Sequence, residues 1–133
     1  MLILASTSPR RKELIKKITN DFIVVKPNIR ERSYHFSINE YATKLAELKA
    51  KAVQKIYPNQ AILACDTIVI FRQQIINKPK NKEDACQILK KLSGHQHIVL
   101  SGYCYLSPKR KIVRSVKTKV QFYHLSDKLI NDY

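Results

Sequence analysis

Glycine and paired cysteines are scarce in this sequence, and each scarcity excludes a class of protein. The 133 residues contain two glycines, Gly94 and Gly102, which excludes a glycine-rich phosphate loop. The three cysteines, Cys65, Cys86 and Cys104, form no CxxC pair, so neither a disulfide framework nor a zinc site is indicated. No apolar run approaches the ~18 residues of a membrane span. These absences predict a soluble protein with no membrane partner.

Acidic residues are also few, and this gives the chain a strong positive charge. Lys and Arg number 25 against 10 Asp and Glu, a net charge of +15. Such a charge favours polyanionic partners such as nucleic acid or a nucleoside triphosphate. It can equally reflect biased codon usage, because the lysines accompany abundant Ile and Asn. The N-terminus lacks the features of a secretory signal, which predicts a cytoplasmic protein.

Predicted strands and helices alternate along the chain, and the length suits a single domain over residues 1–133. The pattern indicates an α/β protein in which helices pack on a mixed sheet. Strands are predicted at 2–5, 22–25, 61–71, 97–106 and 112–122, with a turn at 107–110. Helices are predicted after the caps Ser8, Ser37 (in a capping box with Glu40), Asn81 and Ser126.

The apolar spacing of the first three helices predicts which side chains face the sheet. The expected inward residues are Leu14, Ile15 and Ile18 in the first helix; Tyr41, Leu45, Leu48, Ala52 and Ile56 in the second; and Ala85, Ile88, Leu89 and Leu92 in the third.

The segment from Ser6 to Arg11 joins the first strand to the first helix. The hydroxyls of Ser6 and Ser8, free backbone amides, the helix dipole and the guanidiniums of Arg10 and Arg11 would converge there. This combination predicts a polyphosphate-binding loop. The alternative is that Ser8 and Pro9 only begin the helix and the arginines are solvated.

Asp66 interrupts an otherwise apolar strand, where an unpaired buried carboxylate would cost several kcal/mol. A functional role is therefore predicted, although a satisfied carboxylate at a strand end is the alternative. Thr67 suits an ordinary β-branched strand position. Lys49 and Lys78 are surface residues by default in so lysine-rich a chain.

Two further groups are candidate metal ligands. Glu31 could ligate Mg²⁺, or form a surface ion pair with the flanking arginines. His95 and His97 lie two residues apart, but no third ligand is suitably spaced, which favours a structural role for both.

Taken together, these segments resemble the Maf family of nucleoside triphosphate pyrophosphatases. The opening Leu4–Arg11 resembles the family's phosphate-binding signature, Leu45–Ala50 its helix motif and Asp66–Val69 its catalytic strand. The same order continues with Lys78, Pro79, Ala85, Leu92, Ser93, Gly94, His97 and Val99.

The resemblance implies a fold with a cleft between two lobes and a house-cleaning hydrolysis between the α and β phosphates. Asp66 would activate the attacking water, and Glu31 would help to hold Mg²⁺ or Mn²⁺. Thr67 resembles the branch of the family that prefers dTTP and UTP. Family members usually dimerise, so a homodimer is expected. The residues implied to bind substrate are Ser6, Ser8, Arg10, Arg11, Lys49, Thr67 and Lys78.

Family members continue with a Tyr-Gly-Ile-Gln-like stretch and a Gly-Ser…Gly-Leu-Pro segment, and neither occurs here. The C-terminal part is therefore expected to be missing. This leaves a second hypothesis, an inactive remnant or a basic nucleic-acid-binding protein associated with cell division. No known DNA-reading helix or aromatic platform is evident, so any nucleic-acid binding is expected to be nonspecific.

Overall fold

The computed structural model describes residues 1–29 and 35–132. Its strands are β1 (Leu2–Ala5), β2 (Phe22–Val25), β3 (Ala61–Phe71), β4 (Gln74–Ile76), β5 (Gln96–Leu106) and β6 (Lys111–Gln121). Its helices are α1 (Pro9–Lys16), α2 (Ile38–Gln54), α3 (Lys82–Leu92) and α4 (Asp127–Asp132). The predicted elements are confirmed, with strand boundaries that agree to within one residue.

β4 is an additional strand that the sequence did not predict. It pairs antiparallel with the end of β3 through Phe71 and Gln74. The two residues between them, Arg72 and Gln73, have φ values of 50° and 64°. Positive φ at both central positions is typical of a type I′ hairpin turn, which usually contains glycine or asparagine. Because neither residue type is present, the sequence carries no signal for this turn.

The strands of the described residues form one mixed sheet in the order β2-β1-β3-β5-β6, with β4 paired to β3. β1 is parallel to both neighbours, with Ala5 opposite Val25 on one side and Ala64 on the other. Since β2 and β3 flank β1 on opposite sides, right-handed connections place α1 and α2 on opposite faces of the sheet. This explains why Ile3, Leu4 and Ala5 are all buried.

The chain divides into two compact units, and β3, β5 and β6 contribute residues to both. The first unit comprises Met1–Thr67 and Ser101–Val116. Its core joins β1, α2, β3 and β5 and consists of Ile3, Ala5, Ala46, Ala50, Val53, Ile62, Ala64, Cys104 and Leu106.

The predicted inner face of α2 is wrong. The fully buried positions are Ala42, Ala46, Ala50 and Val53, whereas Ile56 is 61% exposed. The cause lies in β5, because a Cβ added to Gly102 would stand 2.4 Å from the carbonyl carbon of Ala42. The helix backbone therefore rests directly on the strand, and only small side chains fit between them. The larger residues Tyr41, Leu45 and Leu48, together with Ala52, are half-buried beside this contact.

The predictions for the beginnings of α1 and α2 are confirmed in part. Ser8 caps α1, and its side chain accepts a hydrogen bond from the amide of Arg11 at 3.4 Å. Ser37 occupies the cap position of α2 but makes no side-chain cap bond, so the capping box is wrong. The inner stripe of α1 is confirmed for Ile15, which is 6% exposed. It is wrong for Leu14, which is 55% exposed, and for Ile18, which lies beyond the helix end and is 81% exposed.

The second unit comprises Ile68–Leu100 and Lys117–Tyr133. Its helix α3 begins as predicted, where the side chain of Asn81 accepts from the amide of Asp84 at 2.8 Å. Leu92 is fully buried, while Ala85, Ile88 and Leu89 are half-buried. Within residues 1–29 and 35–132, no helix is long and apolar enough to cross a membrane.

Candidate functional site

The candidate site lies in the first unit, beyond the end of β1. β1 stops at Ala5, opposite Ala64, while β3 continues to Phe71. The carbonyl of Cys65 therefore lies beyond the last register pair, where it accepts from side chains. It accepts from Arg11 Nη1 at 3.0 Å and from Lys49 Nζ at 3.4 Å. Two cations, one from α1 and one from α2, thus converge on a single backbone acceptor.

Asp66 projects from the face of β3 that α2 covers. Ile62 and Ala64 pack against α2, and the alternation of side chains along a strand places Asp66 on the same face. Its Oδ1 accepts from Lys49 Nζ at 2.8 Å, and the two side chains are 16% and 19% exposed. The lysine supplies the counter-charge that a largely buried carboxylate requires.

Thr67 projects from the opposite face, towards α1. Its hydroxyl accepts from Arg11 Nη2 at 3.3 Å and lies 3.1 Å from the hydroxyl of Ser101 in β5. Ser101 precedes Gly102, whose Cα faces α2, so the serine side chain belongs on the other face. Sequence reasoning missed Ser101, because a single serine within a strand is a weak signal.

The loop between β1 and α1 carries the two predicted serines. Ser6 is 3% exposed, and its Oγ accepts from the amide of Ser8 at 3.0 Å. Ser8 in turn caps α1 through the amide of Arg11. Both serine oxygens therefore stabilise the loop and fix the start of the helix that carries Arg11. Arg10 is exposed, and its side chain makes no hydrogen bond or ion pair with any other residue in the described part of the chain.

The structure thus brings Ser6, Ser8, Arg11, Lys49, Asp66 and Thr67 to one region of the first unit. Lys78 belongs to the second unit and is exposed between β4 and α3. Glu31, the predicted metal ligand, falls outside the described residues.

Two ionisable groups near the site, Cys65 and Glu47, have shifted pKa values. Burial raises the pKa of the Cys65 thiol, although the nearby Arg11 opposes this effect. The thiol is therefore neutral near pH 7 and is a poor nucleophile. On α2, the hydrogen bond from Lys111 holds the pKa of the Glu47 carboxyl below its ordinary value. This ion pair joins α2 to β6, so it supports the helix that carries Lys49.

His95 and His97 lie in the second unit. His97 is 5% exposed, its ring meets Phe122 edge-on at 4.7 Å, and its Nδ1 has no hydrogen-bond partner among the described residues. His95 packs against Phe71 at 5.7 Å. Residues 1–29 and 35–132 contain no group of three or more His, Cys, Asp or Glu side chains arranged to hold a metal.

Chemically, the cluster combines a carboxylate, two cations and several hydroxyls at a strand-to-helix junction. Such a set can bind an anion through the cations and can accept a proton at the carboxylate.

Comparison with solved structures defines the class of fold. The chain matches the Ham1 protein of Staphylococcus aureus with a TM-score of 0.65 and 16% identity, over 90% of this chain and 70% of that one. It also matches a nucleoside-triphosphatase, dITP/XTP pyrophosphatase, from Mycobacterium abscessus, with a TM-score of 0.60 and 15% identity, over 90% and 73%. The fold is thus the mixed α/β sheet with flanking helices that these proteins share.

Sequence comparison defines the family. The family model for Maf-like proteins matches residues 1–133, and the chain belongs to this family. It is 41% identical over 133 residues to a dTTP/UTP pyrophosphatase of Geobacillus sp. (strain WCH70), covering 99% of this chain and 72% of that protein. It is 43% identical over 133 residues to a dTTP/UTP pyrophosphatase of Pyrococcus abyssi, covering 100% and 71%. The predicted family and fold class are confirmed.

Proposed function

We propose that the protein is a nucleoside triphosphate pyrophosphatase that acts on dTTP and UTP in a house-cleaning role. One observation carries the proposal: Asp66 is held at 2.8 Å by Lys49, and Arg11 reaches the adjacent Thr67 from the other face of the sheet. Relatives more than 40% identical are dTTP/UTP pyrophosphatases, which favours this activity over the nucleic-acid-binding alternative.

The proposed reaction is hydrolysis between the α and β phosphates. Asp66 accepts a proton from a water molecule as the water oxygen attacks the α phosphorus. The bond from that phosphorus to the bridging oxygen breaks, and the electron pair leaves with pyrophosphate. The products are a nucleoside monophosphate and pyrophosphate, so all atoms of substrate and water are accounted for.

Arg11 and Lys49 are assigned to the phosphates in this proposal. In the structure both donate to the Cys65 carbonyl, which holds them on either side of the end of β1. A guanidinium or ammonium has further donors for phosphate oxygens, and charge-assisted hydrogen bonds are about twice as strong as neutral ones. Four other predicted substrate ligands of the first unit are assigned to the same nucleotide: Ser6, Ser8, Arg10 and Thr67. Lys78, in the second unit, stays a predicted substrate ligand that the family resemblance implies.

We also propose a divalent cation, Mg²⁺ or Mn²⁺. Mg²⁺ is commonly held by one or two carboxylates together with substrate phosphates rather than by a complete set of protein ligands. Asp66 fits that pattern, because of its two carboxylate oxygens only Oδ1 has a partner within the described chain. Glu31 would supply the second carboxylate. When bound, the cation would offset the negative charge of the phosphates.

A cytoplasmic location and a homodimer complete the proposal. The three free cysteines suit a reducing compartment. The homodimer is proposed because members of the family usually dimerise.

The test is to incubate the protein separately with dTTP, UTP and CTP, in Mg²⁺, in Mn²⁺ and with a chelator. Monophosphate and pyrophosphate are measured separately from diphosphate and phosphate. We expect equal amounts of monophosphate and pyrophosphate, faster turnover of dTTP and UTP than of CTP, and loss with the chelator. Release of inorganic phosphate and a nucleoside diphosphate would contradict the proposed bond cleavage.

A matched pair of variants links the activity to the site. Asp66→Asn should abolish turnover. Asp21→Asn should leave turnover unchanged, since that carboxylate is exposed and, among the described residues, pairs with the terminal amine alone, at 3.7 Å. Equal loss in both variants would indicate a general effect of charge.

A further inference from the structure

Three side chains from α1, β3 and β5 form a short chain of hydrogen bonds. Arg11 Nη2 lies 3.3 Å from Thr67 Oγ1, which lies 3.1 Å from Ser101 Oγ. These residues are 56 and 34 positions apart in sequence. Their meeting therefore depends on the tertiary fold and not on local sequence.

Counting donors and acceptors shows what this chain leaves free. A guanidinium only donates, so Thr67 must accept from Arg11. Each hydroxyl has one proton, and one of the two protons lies between Thr67 and Ser101. The other proton has no acceptor among these three groups. Whichever hydroxyl carries it, the pair retains one donor for a further oxygen.

Neither hydroxyl of this pair belongs to a fully buried residue. Thr67 is exposed and Ser101 is half-buried, so water can reach either hydroxyl. The pair of hydroxyls also lies beside Arg11, and Thr67 is one residue along β3 from Asp66. The guanidinium of Arg11 has only N–H donors, and the remaining hydroxyl proton is a further donor. A ligand atom that contacts both is therefore an acceptor, such as an oxygen.

We propose that Ser101 is a positioning residue of the nucleotide site, where it pairs with Thr67 to hold one hydroxyl proton towards an acceptor oxygen of the substrate. This inference rests on the proposed function. A nucleotide offers two kinds of acceptor, the oxygens of the sugar and phosphates and the carbonyl oxygens of the pyrimidine ring. UTP has ring carbonyls at C2 and C4, whereas CTP keeps the C2 carbonyl and has an amino group at C4, so a comparison of the two nucleotides tests the C4 oxygen.

The first experiment compares Ser101→Val with Ser101→Thr, because valine and threonine have nearly the same shape and differ by the hydroxyl. We expect Ser101→Val to lower kcat/KM for UTP by about fivefold to tenfold, the effect of one hydrogen bond, mostly through KM. Ser101→Thr should remain near the original value. If Val and Thr lose activity equally, or neither loses any, Ser101 does not act through its hydroxyl and the inference is overturned.

The same variants are assayed with CTP to identify the acceptor. A loss with UTP that is absent with CTP assigns the hydroxyl to the ring carbonyl at C4. An equal loss with both nucleotides assigns it to an oxygen that the two share, on the sugar, the phosphates or ring carbon C2. Both results support the inference. Ser115→Val, at an exposed position of β6, is the control and should change neither.

A double-mutant comparison tests whether the two hydroxyls act as a pair. Thr67→Val and the double variant Thr67→Val, Ser101→Val should lose about the same activity, because either change removes the shared bond. Fully additive losses would show that the residues act independently.

UTP affinity is also measured by calorimetry. If the unmodified protein binds UTP but releases no pyrophosphate, the proposed function fails, while the affinities still decide the role of Ser101.

Discussion

The two compact units of the molecule are built differently, and the difference bears on where the chemistry lies. In the first unit, the backbone of α2 rests on β5 at Gly102, and charged side chains from α1 and α2 meet at the end of β1. In the second unit, α3 packs largely through half-buried side chains. The polar contacts described there include a helix cap at Asn81 and the bond between Ser93 and Leu125.

Close backbone contact fixes the position of a helix more strictly than packing through long side chains, because nothing between the two backbones can adjust. Lys49 lies two turns beyond Ala42 on α2. The Gly102 contact therefore sets the height of the Lys49 ammonium relative to Asp66 in β3. This comparison indicates that the close contact between α2 and β5 at Gly102 supports the polar cluster.

The largest expected effect is on the folding of the first unit. Gly102→Ala would place a Cβ 2.4 Å from backbone atoms of α2, so the helix must move. We expect a loss of about 3 kcal/mol in the free energy of unfolding, together with lower pyrophosphatase activity. Urea denaturation and turnover of the same sample measure both.

Gly94→Ala is the matched control from the second unit. This residue has φ of +70° but nothing within 4 Å of its added Cβ, so the cost is backbone strain alone. We expect a loss of about 1 kcal/mol and unchanged turnover of the remaining folded protein. If the two glycines proved equally tolerant, the contrast between the units would be wrong.

The next prediction separates the neighbouring arginines. Arg11 donates to Cys65 and Thr67, whereas Arg10 is exposed. Arg11→Ala should raise the KM for UTP about 10- to 100-fold, the range for a hydrogen bond to a charged group. Arg10→Ala should raise it much less. Similar losses in both variants would mean that overall positive charge, not a placed guanidinium, holds the nucleotide.

The smallest effect concerns pH and the second unit. Burial lowers the pKa of His97 below its ordinary value of 6.5. The unfolded chain therefore takes up a proton at a higher pH than the folded chain does. The stability linked to neutral His97 is present above about pH 6.5 and is lost as the pH falls towards the folded value. Thermal unfolding should thus show a lower Tm at pH 5 than at pH 7.5.

Replacement of the histidine tests the source of that pH dependence. His97→Gln should reduce the difference in Tm between pH 5 and pH 7.5. His124→Gln, at an exposed position, should leave the difference as it was. An unchanged difference in His97→Gln would place the pH sensitivity elsewhere.

Local signals in the sequence predicted the elements well but not the packing of the helices. Ser8 and Asn81 marked the beginnings of α1 and α3, because capping is a contact between near neighbours. The inner face of α2 was predicted from its large apolar residues. The buried face consists of Ala42, Ala46, Ala50 and Val53. The reason is Gly102 in β5, 60 residues after Ala42, which has no side chain and so lets the helix backbone pack directly on the strand. Spacing within one helix cannot reveal such a partner.

In the candidate site, too, local sequence signals identified some residues and missed one that depends on tertiary contacts. Asp66 was recognised because a charged residue within an apolar strand is unusual, and Arg11 because it lies in the first turn of a helix that follows a hydroxyl-rich loop. Ser101 carries no comparable signal, since its importance arises only when β5 is placed beside β3. The motif resemblance identified Lys49, which spacing alone would have left among many surface lysines.

The central claim is that Asp66 performs the chemistry while the cations hold the nucleotide. The most direct test measures pyrophosphate release and UTP affinity in Asp66→Asn, a change that keeps the size of the side chain and removes its ability to accept a proton. We predict a fall in turnover of at least about 100-fold, the scale of general base catalysis, with UTP affinity within about threefold of the original. Thermal unfolding of the same sample shows that the variant is folded. Undiminished turnover by folded Asp66→Asn would contradict the account.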